Sequence, residues 1–313
     1  MKHNKIIISI LTIFIILLSV GCSNKQENIP DSNENVNADY DSLFQELEEK
    51  YDATLGIYAL DTETNKEISY NADERFAYCS TYKALAAGAI LEKYSIEELD
   101  NVIYFEEEDV LSYAPVAKDK VDTGMTIREI CDAAVRQSDN TAGNLQFTLL
   151  DGPNGFKQSL SKIGDTVSEP SRIETELNDA VPGDIRDTST PKQLAFNLKE
   201  YVTGDILSDD KKEIFIDWMS NNATGDELIR AGVPSDWIVA DKSGAGSYGT
   251  RNDIAIVTPP NKKPINGLFH SFLYINKLVC IHVIADINMI FLRFFRLLVS
   301  KFGSPCSFAF KIR

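Results

Sequence analysis

Four short stretches of this 313-residue chain carry side chains suited to nucleophilic chemistry. Ser80-Thr81-Tyr82-Lys83 sets a hydroxyl and an amine three residues apart at the start of an alanine-rich, helix-like run, Ala84 to Ile90, so both can share one helical face. A serine hydroxyl is a poor nucleophile until a neighbouring base takes its proton. Lys83 can act as that base once partly desolvated, or it can serve as a fixed positive charge. Ser138-Asp139-Asn140, Arg172-Ile173-Glu174-Thr175-Glu176-Leu177-Asn178 and Lys242-Ser243-Gly244 follow in that order, adding a second hydroxyl, a carboxylate and a second amine. S-x-x-K alone is weak, because Ser159–Lys162 and Ser208–Lys211 also match it, whereas S-D-N and K-[ST]-G each occur once.

Histidine narrows the chemistry by its absence. Of three, His3 lies in the leader and His270 and His282 lie near the C-terminus, which leaves the body without a histidine for a Ser-His-Asp triad or a zinc site. Any nucleophile must therefore be activated by Lys or Glu. The five cysteines lack metal-ligand spacing, and Cys79 and Cys131 read as buried free thiols rather than a bridge. No cofactor and no metal is expected. A formal charge of −16 argues against a nucleic-acid partner, which would want a basic face.

The elements that must position these residues follow from composition and period. Lys2, His3 and Lys5 precede an apolar run, Ile6 to Leu18, too short to span a bilayer, so residues 1–22 read as a signal peptide. Ser19-Val20-Gly21-Cys22 resembles the lipobox of bacterial lipoproteins, which implies lipidation of Cys22; the alternative is an ordinary secretory signal with a chance cysteine. Residues 23–39, rich in Asn, Ser, Glu and Asp, read as a flexible polar linker. Asp41 is expected to cap an amphipathic helix, Ser42 to Tyr51, and Ala53–Leu60 and Lys66–Tyr70 to form a hairpin. Helical patterns dominate from Ser80 to about Ser220, and Trp237–Ala240 and Asp253–Val257 read as strands. Strands at both ends around a helical middle suggest one sheet built from both termini.

Together the four motifs resemble those of the class A β-lactamases, for which S-x-x-K, S-D-N and K-T-G are a signature. The resemblance covers residues from about 40 to Ile265. It implies an α/β plus all-α fold of the β-lactamase/penicillin-binding-protein type, with an antiparallel sheet flanked by helices. The α/β domain would comprise 40–78 and 221–266, and the all-α domain 79–220, with the site in the cleft between them. It implies a penicillin-type β-lactam substrate and an acyl-enzyme on Ser80, whose backbone N–H, with that of Ala245, would hold the oxyanion. Glu174 and Asn178 would position the deacylating water, and Ser138 would relay a proton to the leaving nitrogen. Asn140 would hydrogen-bond the acylamino side chain, Tyr113 would wall the site, and Lys242, Ser243 and Arg251, beside Gly244, would bind the substrate carboxylate. Arg172 would pair with Asp187, fifteen residues on, across an omega-type loop. Whether Lys83 or Glu174 is the acylation base stays open. A monomeric lipoprotein of a Gram-positive bacterium is implied, exported to the outer face of the cell membrane and partly released. Gly246 lies where some members carry a cysteine that pairs with the one preceding the nucleophile, so Cys79 has no such partner.

The C-terminus departs from this pattern. Residues 267–313 hold eight Phe, six Lys or Arg and one acid, Asp286, which leaves 25 basic and 46 acidic residues, a charge of −21, on the rest. A shifted reading frame is the favoured explanation for this tail, in which case the sheet should lose a ladder and the chain should be insoluble or weakly active. A membrane anchor is disfavoured by His282, Asp286, Arg293 and Arg296. A third reading keeps a strand at Ile265–Ile275 and a helix at Ile287–Phe302. Two other outcomes remain: a penicillin-binding or sensor-type module that acylates without turnover, favoured less because of Glu174 and Asn178, and an inactive product of the aberrant tail.

Overall fold

Leu55-Gly56-Ile57-Tyr58-Ala59 and Ile254-Ala255-Ile256-Val257 are apolar at successive positions. Side chains alternate across a strand, so a strand of this kind must be covered on both faces. The computed structural model describes residues 32–220, 222–260 and 268–275, with the backbone alone for 32–39 and 268–275. The described residues from 37 on belong to one compact unit, and residues 32–36 fall in a separate one. Helix α1 (Ser32–Tyr51) leads into strands β1 (Thr54–Asp61), β2 (Glu67–Tyr70) and β3 (Phe76–Ala77). A 3-10 turn, Cys79–Thr81, opens α2 (Tyr82–Lys93). There follow β4 (Val102–Ile103), β5 (Met125–Thr126), α3 (Ile127–Arg136), α4 (Asn140–Leu149), α5 (Gly152–Lys162), β6 (Thr188–Ser189), α6 (Pro191–Thr203) and α7 (Asp209–Met219). Strands β7 (Ile238–Ala245), β8 (Arg251–Thr258) and β9 (Leu268–Ile275) complete the order.

The main sheet is antiparallel with strand order β2-β1-β9-β8-β7. Its two faces feed two cores. Leu55, Ile57 and Ala59 of β1 and Ala255 and Val257 of β8 pack with Tyr40, Phe44 and Leu47 of α1. Tyr58, Ile254 and Ile256 point the other way, into the core made with the helices. There α2 is buried along its length from Tyr82 to Leu91, with α3, α4 and α7 around it. The fold is thus an antiparallel sheet with helices, its strands drawn from both ends of the chain and the helical segment between them.

Two expectations change. Helix α1 begins at Ser32, so Asp41 lies inside the helix rather than capping it, and the last part of the 23–39 linker is helical. Once one amphipathic turn is packed, each further residue adds a hydrogen bond without a new nucleation cost. The tail also does not cost the sheet a ladder. Leu268–Ile275 lies between β1 and β8, with Thr54↔Ile275 to Asp61↔Leu268 on one side and Arg251↔Tyr274 to Val257↔Leu268 on the other. The helix expected at Ile287–Phe302 lies outside the described residues, as do Cys22 and the signal segment.

Phe272 stands opposite Ile57 on β1 and Asp253 on β8. Phe272→Pro should therefore lower the urea midpoint, with an unfolding free energy smaller by roughly 1–3 kcal/mol for each backbone group left unpaired. An unchanged midpoint would mean that this strand is not central.

Candidate active site

The 3-10 turn before α2 presents Ser80. Thr81 donates through Oγ1 to Tyr78 O at 2.7 Å, and Asn252 of β8 donates through Nδ2 to Ala77 O at 2.7 Å, so the turn is pinned to the sheet. Cys79 holds a left-handed φ of 46° just before the serine, a conformation that L residues with a Cβ adopt rarely and that recurs at functional sites. One helical step on, Lys83 Nζ lies 3.1 Å from Ser80 Oγ, 3.0 Å from Ser138 O, 2.7 Å from Asn140 Oδ1 and 2.8 Å from Glu174 Oε1. An ammonium has three protons for these four acceptors. Burial pushes the Lys83 pKa below the usual lysine value, and the Glu174 charge opposes that shift. A neutral Lys83 would turn its lone pair to one of these neighbours, and the Ser80 hydroxyl has a proton to give.

Ser138 and Asn140 are set by the residue between them. Asp139 is fully buried and caps α4, accepting from Ala142 N through Oδ1 and from Val116 N and Ala117 N through Oδ2, each at 2.9 Å. Asn140 N donates to Tyr113 O at 2.9 Å, and the Tyr113 side chain is exposed beside it. Asp139 thereby ties the 113–117 loop to the start of α4.

Glu174 sits on the loop between α5 and α6. Asn144 of α4 holds its backbone twice, donating through Nδ2 to Glu174 O at 3.0 Å and accepting from Glu174 N at 2.8 Å. Asn178 Nδ2 donates to Glu174 Oε2 at 2.5 Å. The loop is closed by Arg172, whose Nε donates to Asp187 Oδ2 at 2.5 Å and whose Nη1 donates to Asp179 Oδ2 at 2.9 Å. Asp187 also accepts from the backbone N–H groups of Ser171 and Arg172 and from the Tyr78 hydroxyl, which links the loop to the residues preceding Ser80.

Strand β7 forms the opposite wall. Lys242 is buried and donates to Ser138 Oγ at 3.1 Å and Ser243 O at 2.7 Å. Burial and the Lys83 charge lower its pKa to about 7. Ser243 Oγ is 2.7 Å from Thr224 Oγ1. Gly244 lets the strand close on the nucleophile: a Cβ there would lie 2.9 Å from Tyr78 O and 3.2 Å from Ser80 N. Ala245 is paired across the ladder with half-buried Arg251, whose Nη1 donates to Thr250 O. A cleft of about 440 Å³ opens between the loop and this strand, lined by Thr175, Asn178, Asp179, Ala245, Gly246 and Ser247. Cys79 and Cys131 are both buried free thiols. Among the described residues, no group of three His, Cys, Asp or Glu is placed to hold a metal.

The structure thus gathers Ser80, Lys83, Ser138, Asn140, Glu174, Asn178 and Lys242 into one connected network, with Ser243 next to Lys242, half-buried Arg251 across the ladder from Ala245, and Arg172–Asp187 behind the loop. Asp139, Asn144 and Thr224 were not singled out from sequence. Asn144 lies four residues after Asn140, on the same face of α4, and that spacing was legible. Thr224 had no local signal.

Residues 40–268 match the model of the beta-lactamase enzyme family. "Beta-lactamase 1" of Bacillus cereus is 57% identical over 228 residues, 73% of this chain and 74% of that protein. A beta-lactamase of Bacillus subtilis is 58% identical over 222 residues, 71% of this chain and 72% of that protein. Among solved structures, a class A beta-lactamase from Clostridium kluyveri superposes with a TM-score of 0.80 at 56% identity, covering 82% of this chain and 99% of that one.

Proposed function

This chain belongs to the beta-lactamase enzyme family and is a class A serine β-lactamase, and we propose that it opens the amide of penicillin-type antibiotics through an acyl-enzyme on Ser80 that water activated by Glu174 then hydrolyses. The observation that carries the reading is the buried relay from Ser80 Oγ through Lys83 Nζ, at 3.1 Å, to Glu174 Oε1, at 2.8 Å.

In acylation Ser80 Oγ attacks the lactam carbonyl and gives its proton to Lys83 or, through Lys83 or water, to Glu174. The oxyanion forms against the N–H groups of Ser80 and Ala245. Ser138 passes a proton to the leaving nitrogen as the C–N bond breaks, and Lys242, 3.1 Å from its Oγ, steadies that transfer. In deacylation Glu174 takes a proton from a water oriented with Asn178. The hydroxide adds to the ester, and the C–O bond breaks as Ser80 regains its proton. Lys242, Ser243 and Arg251 bind the substrate carboxylate by charge-assisted contacts, and Asn140 holds the acylamino group. Every group in this scheme comes from one copy of the chain, so a monomer suffices.

The alternative, acylation without turnover, is disfavoured by a carboxylate held against the nucleophile's own lysine. Nitrocefin separates the two: steady turnover supports hydrolysis, and a stoichiometric burst supports the binding module. Ser80→Ala should abolish labelling by a fluorescent penicillin. Glu174→Ala should still acylate but accumulate the acyl-enzyme by mass spectrometry, with turnover reduced about 10²–10⁴-fold. Persistent labelling in the first variant, or unchanged turnover in the second, rejects these roles.

The Lys242 pKa makes a second test. Its folded value, about 7, lies below that of an ordinary lysine, so the cation is present below that pH and lost above it. Because kcat/KM reports the free enzyme, its value for a carboxylate-bearing penicillin should fall as pH rises through about 7. Lys242→Arg, which stays charged, should lose that limb, and retention of the same limb would assign it to another group.

Export and anchoring complete the proposal: Cys22 carries a lipid, residues 23–31 act as a tether, and the enzyme works at the outer face of the cell membrane. The support is the sequence Ser19-Val20-Gly21-Cys22 after the apolar run. Cys22→Ser should move the enzyme from the membrane fraction to the medium; unchanged membrane association would reject the anchor.

A further inference from the structure

The mechanism leaves unused a buried polar group at the site, the hydroxyl of Tyr82. This residue occupies the second x of S-x-x-K, and the residue as a whole is 1% exposed. Its ring is fixed by stacking on Phe147, with centroids 4.7 Å apart and planes at 16°, and by an edge contact with Phe156 at 6.3 Å. The phenol oxygen is therefore aimed rather than merely enclosed.

It is aimed at the Lys83–Glu174 pair. Helix α4 has no side chain at Gly143, and a Cβ built there would lie 2.5 Å from the Tyr82 hydroxyl, 2.7 Å from Lys83 Cε and 3.6 Å from Glu174 Cγ. The three groups converge on that spot. Among the described residues, the Tyr82 hydroxyl is buried with no hydrogen-bond partner, and Glu174 Oε1 is buried with its ion pair to Lys83 as its one polar contact. A buried hydroxyl left unmatched costs about 1–3 kcal/mol, so one aimed at a carboxylate oxygen whose other polar contact is a movable ammonium indicates a bond made when that ammonium turns away.

That stage follows from the proton count on Lys83. When Lys83 turns its protons to Ser80, Ser138 and Asn140, Glu174 loses its cation. We propose that the Tyr82 hydroxyl is then a positioning donor for Glu174, holding the carboxylate ionised and oriented while it accepts the proton of the deacylating water. The tyrosine keeps its own proton throughout. Burial first, and then the Glu174 charge, push its pKa well above the ordinary phenol value, so it shares its proton in a hydrogen bond and does not give it up. The other titratable groups that act on this pair are Lys83 on α2, Lys242 on β7, Asp187 on the loop, and Tyr78 and Cys79 before Ser80.

The inference rests on Glu174 as the deacylation base, and its test is Tyr82→Phe in the full chain. Acylation and deacylation are measured separately across pH with a penicillin, beside Glu174→Ala. A donor to the charged form lowers a carboxylate's pKa. Its loss should therefore move the acid limb of deacylation up by about one pH unit, or roughly tenfold in rate below the limb. The acylation profile should move less than the deacylation profile, and the melting temperature should not be lowered. An unmoved limb, or a uniform loss at every pH with a lower melting temperature, overturns the proposal. Gly143→Ala gives an independent check: it crowds the hydroxyl, so its shift should shrink when it is combined with Tyr82→Phe. Strictly additive shifts would also overturn the proposal. Full turnover by Glu174→Ala would instead reject the underlying assignment of the base.

Discussion

A fully buried ammonium facing a fully buried carboxylate is the constraint around which this site is organised. Lys83 and Glu174 have side chains with no solvent exposure and lie 2.8 Å apart. Removing two charges from water costs several kcal/mol per ion even after relaxation, and their attraction offsets this only when the remaining hydrogen-bonding capacity is met. Each partner is accordingly held: Lys83 by Ser80, Ser138 and Asn140, and Glu174 by Asn178 at its carboxylate and by Asn144 at its backbone. The same burial that makes the pair costly makes Lys83 a usable base, because it pulls the ammonium's pKa down. Stability and reactivity are opposite consequences of one desolvation.

Three separate pieces of chain must meet for that balance to exist, and each is pinned by buried polar contacts. Asp139 caps α4 and holds the 116–117 amides, Asp187 gathers Arg172 and the amides of the Glu174 loop, and Asn252 grips Ala77 from the sheet. Two glycines set how close the pieces come. At Gly244 a side chain would press on Tyr78 and Ser80, and at Gly143 on Tyr82 and Lys83. Behind β7, Asp241 accepts from Arg230 and the strand's Asp241 carbonyl from Asn222, which supports Lys242 from the side away from the cleft.

Much of the site was legible because its chemistry is local in sequence. Ser80 and Lys83 are one helical turn apart, and Arg172, Glu174 and Asn178 lie on one loop whose partner, Asp187, was identified through the family pattern. What stayed hidden depends on distant juxtaposition. Thr224 meets Ser243, and Asn252 meets Ala77, across separations that no spacing rule reaches. The helix boundary at Ser32 was missed for another reason: polar composition argues against a packed core but not against extending a helix that packing further along already holds.

The central strand shows what composition alone does not decide. A tail rich in Phe and poor in acids looked foreign to the domain, yet Leu268–Ile275 completes the sheet. A central strand asks for little that is specific. Its ladder is made by backbone groups shared by all residues but proline, and aromatic and β-branched residues suit the pleated surface. Leu-Phe-His-Ser-Phe-Leu-Tyr-Ile meets that demand without proline, glycine or a formal charge. Its register runs unbroken along β1 from Asp61 to Thr54 and along β8 from Val257 to Arg251. Because β8 carries β7, and β7 carries Lys242 to the cleft, a strand without any catalytic residue still fixes where the cation stands relative to Ser80.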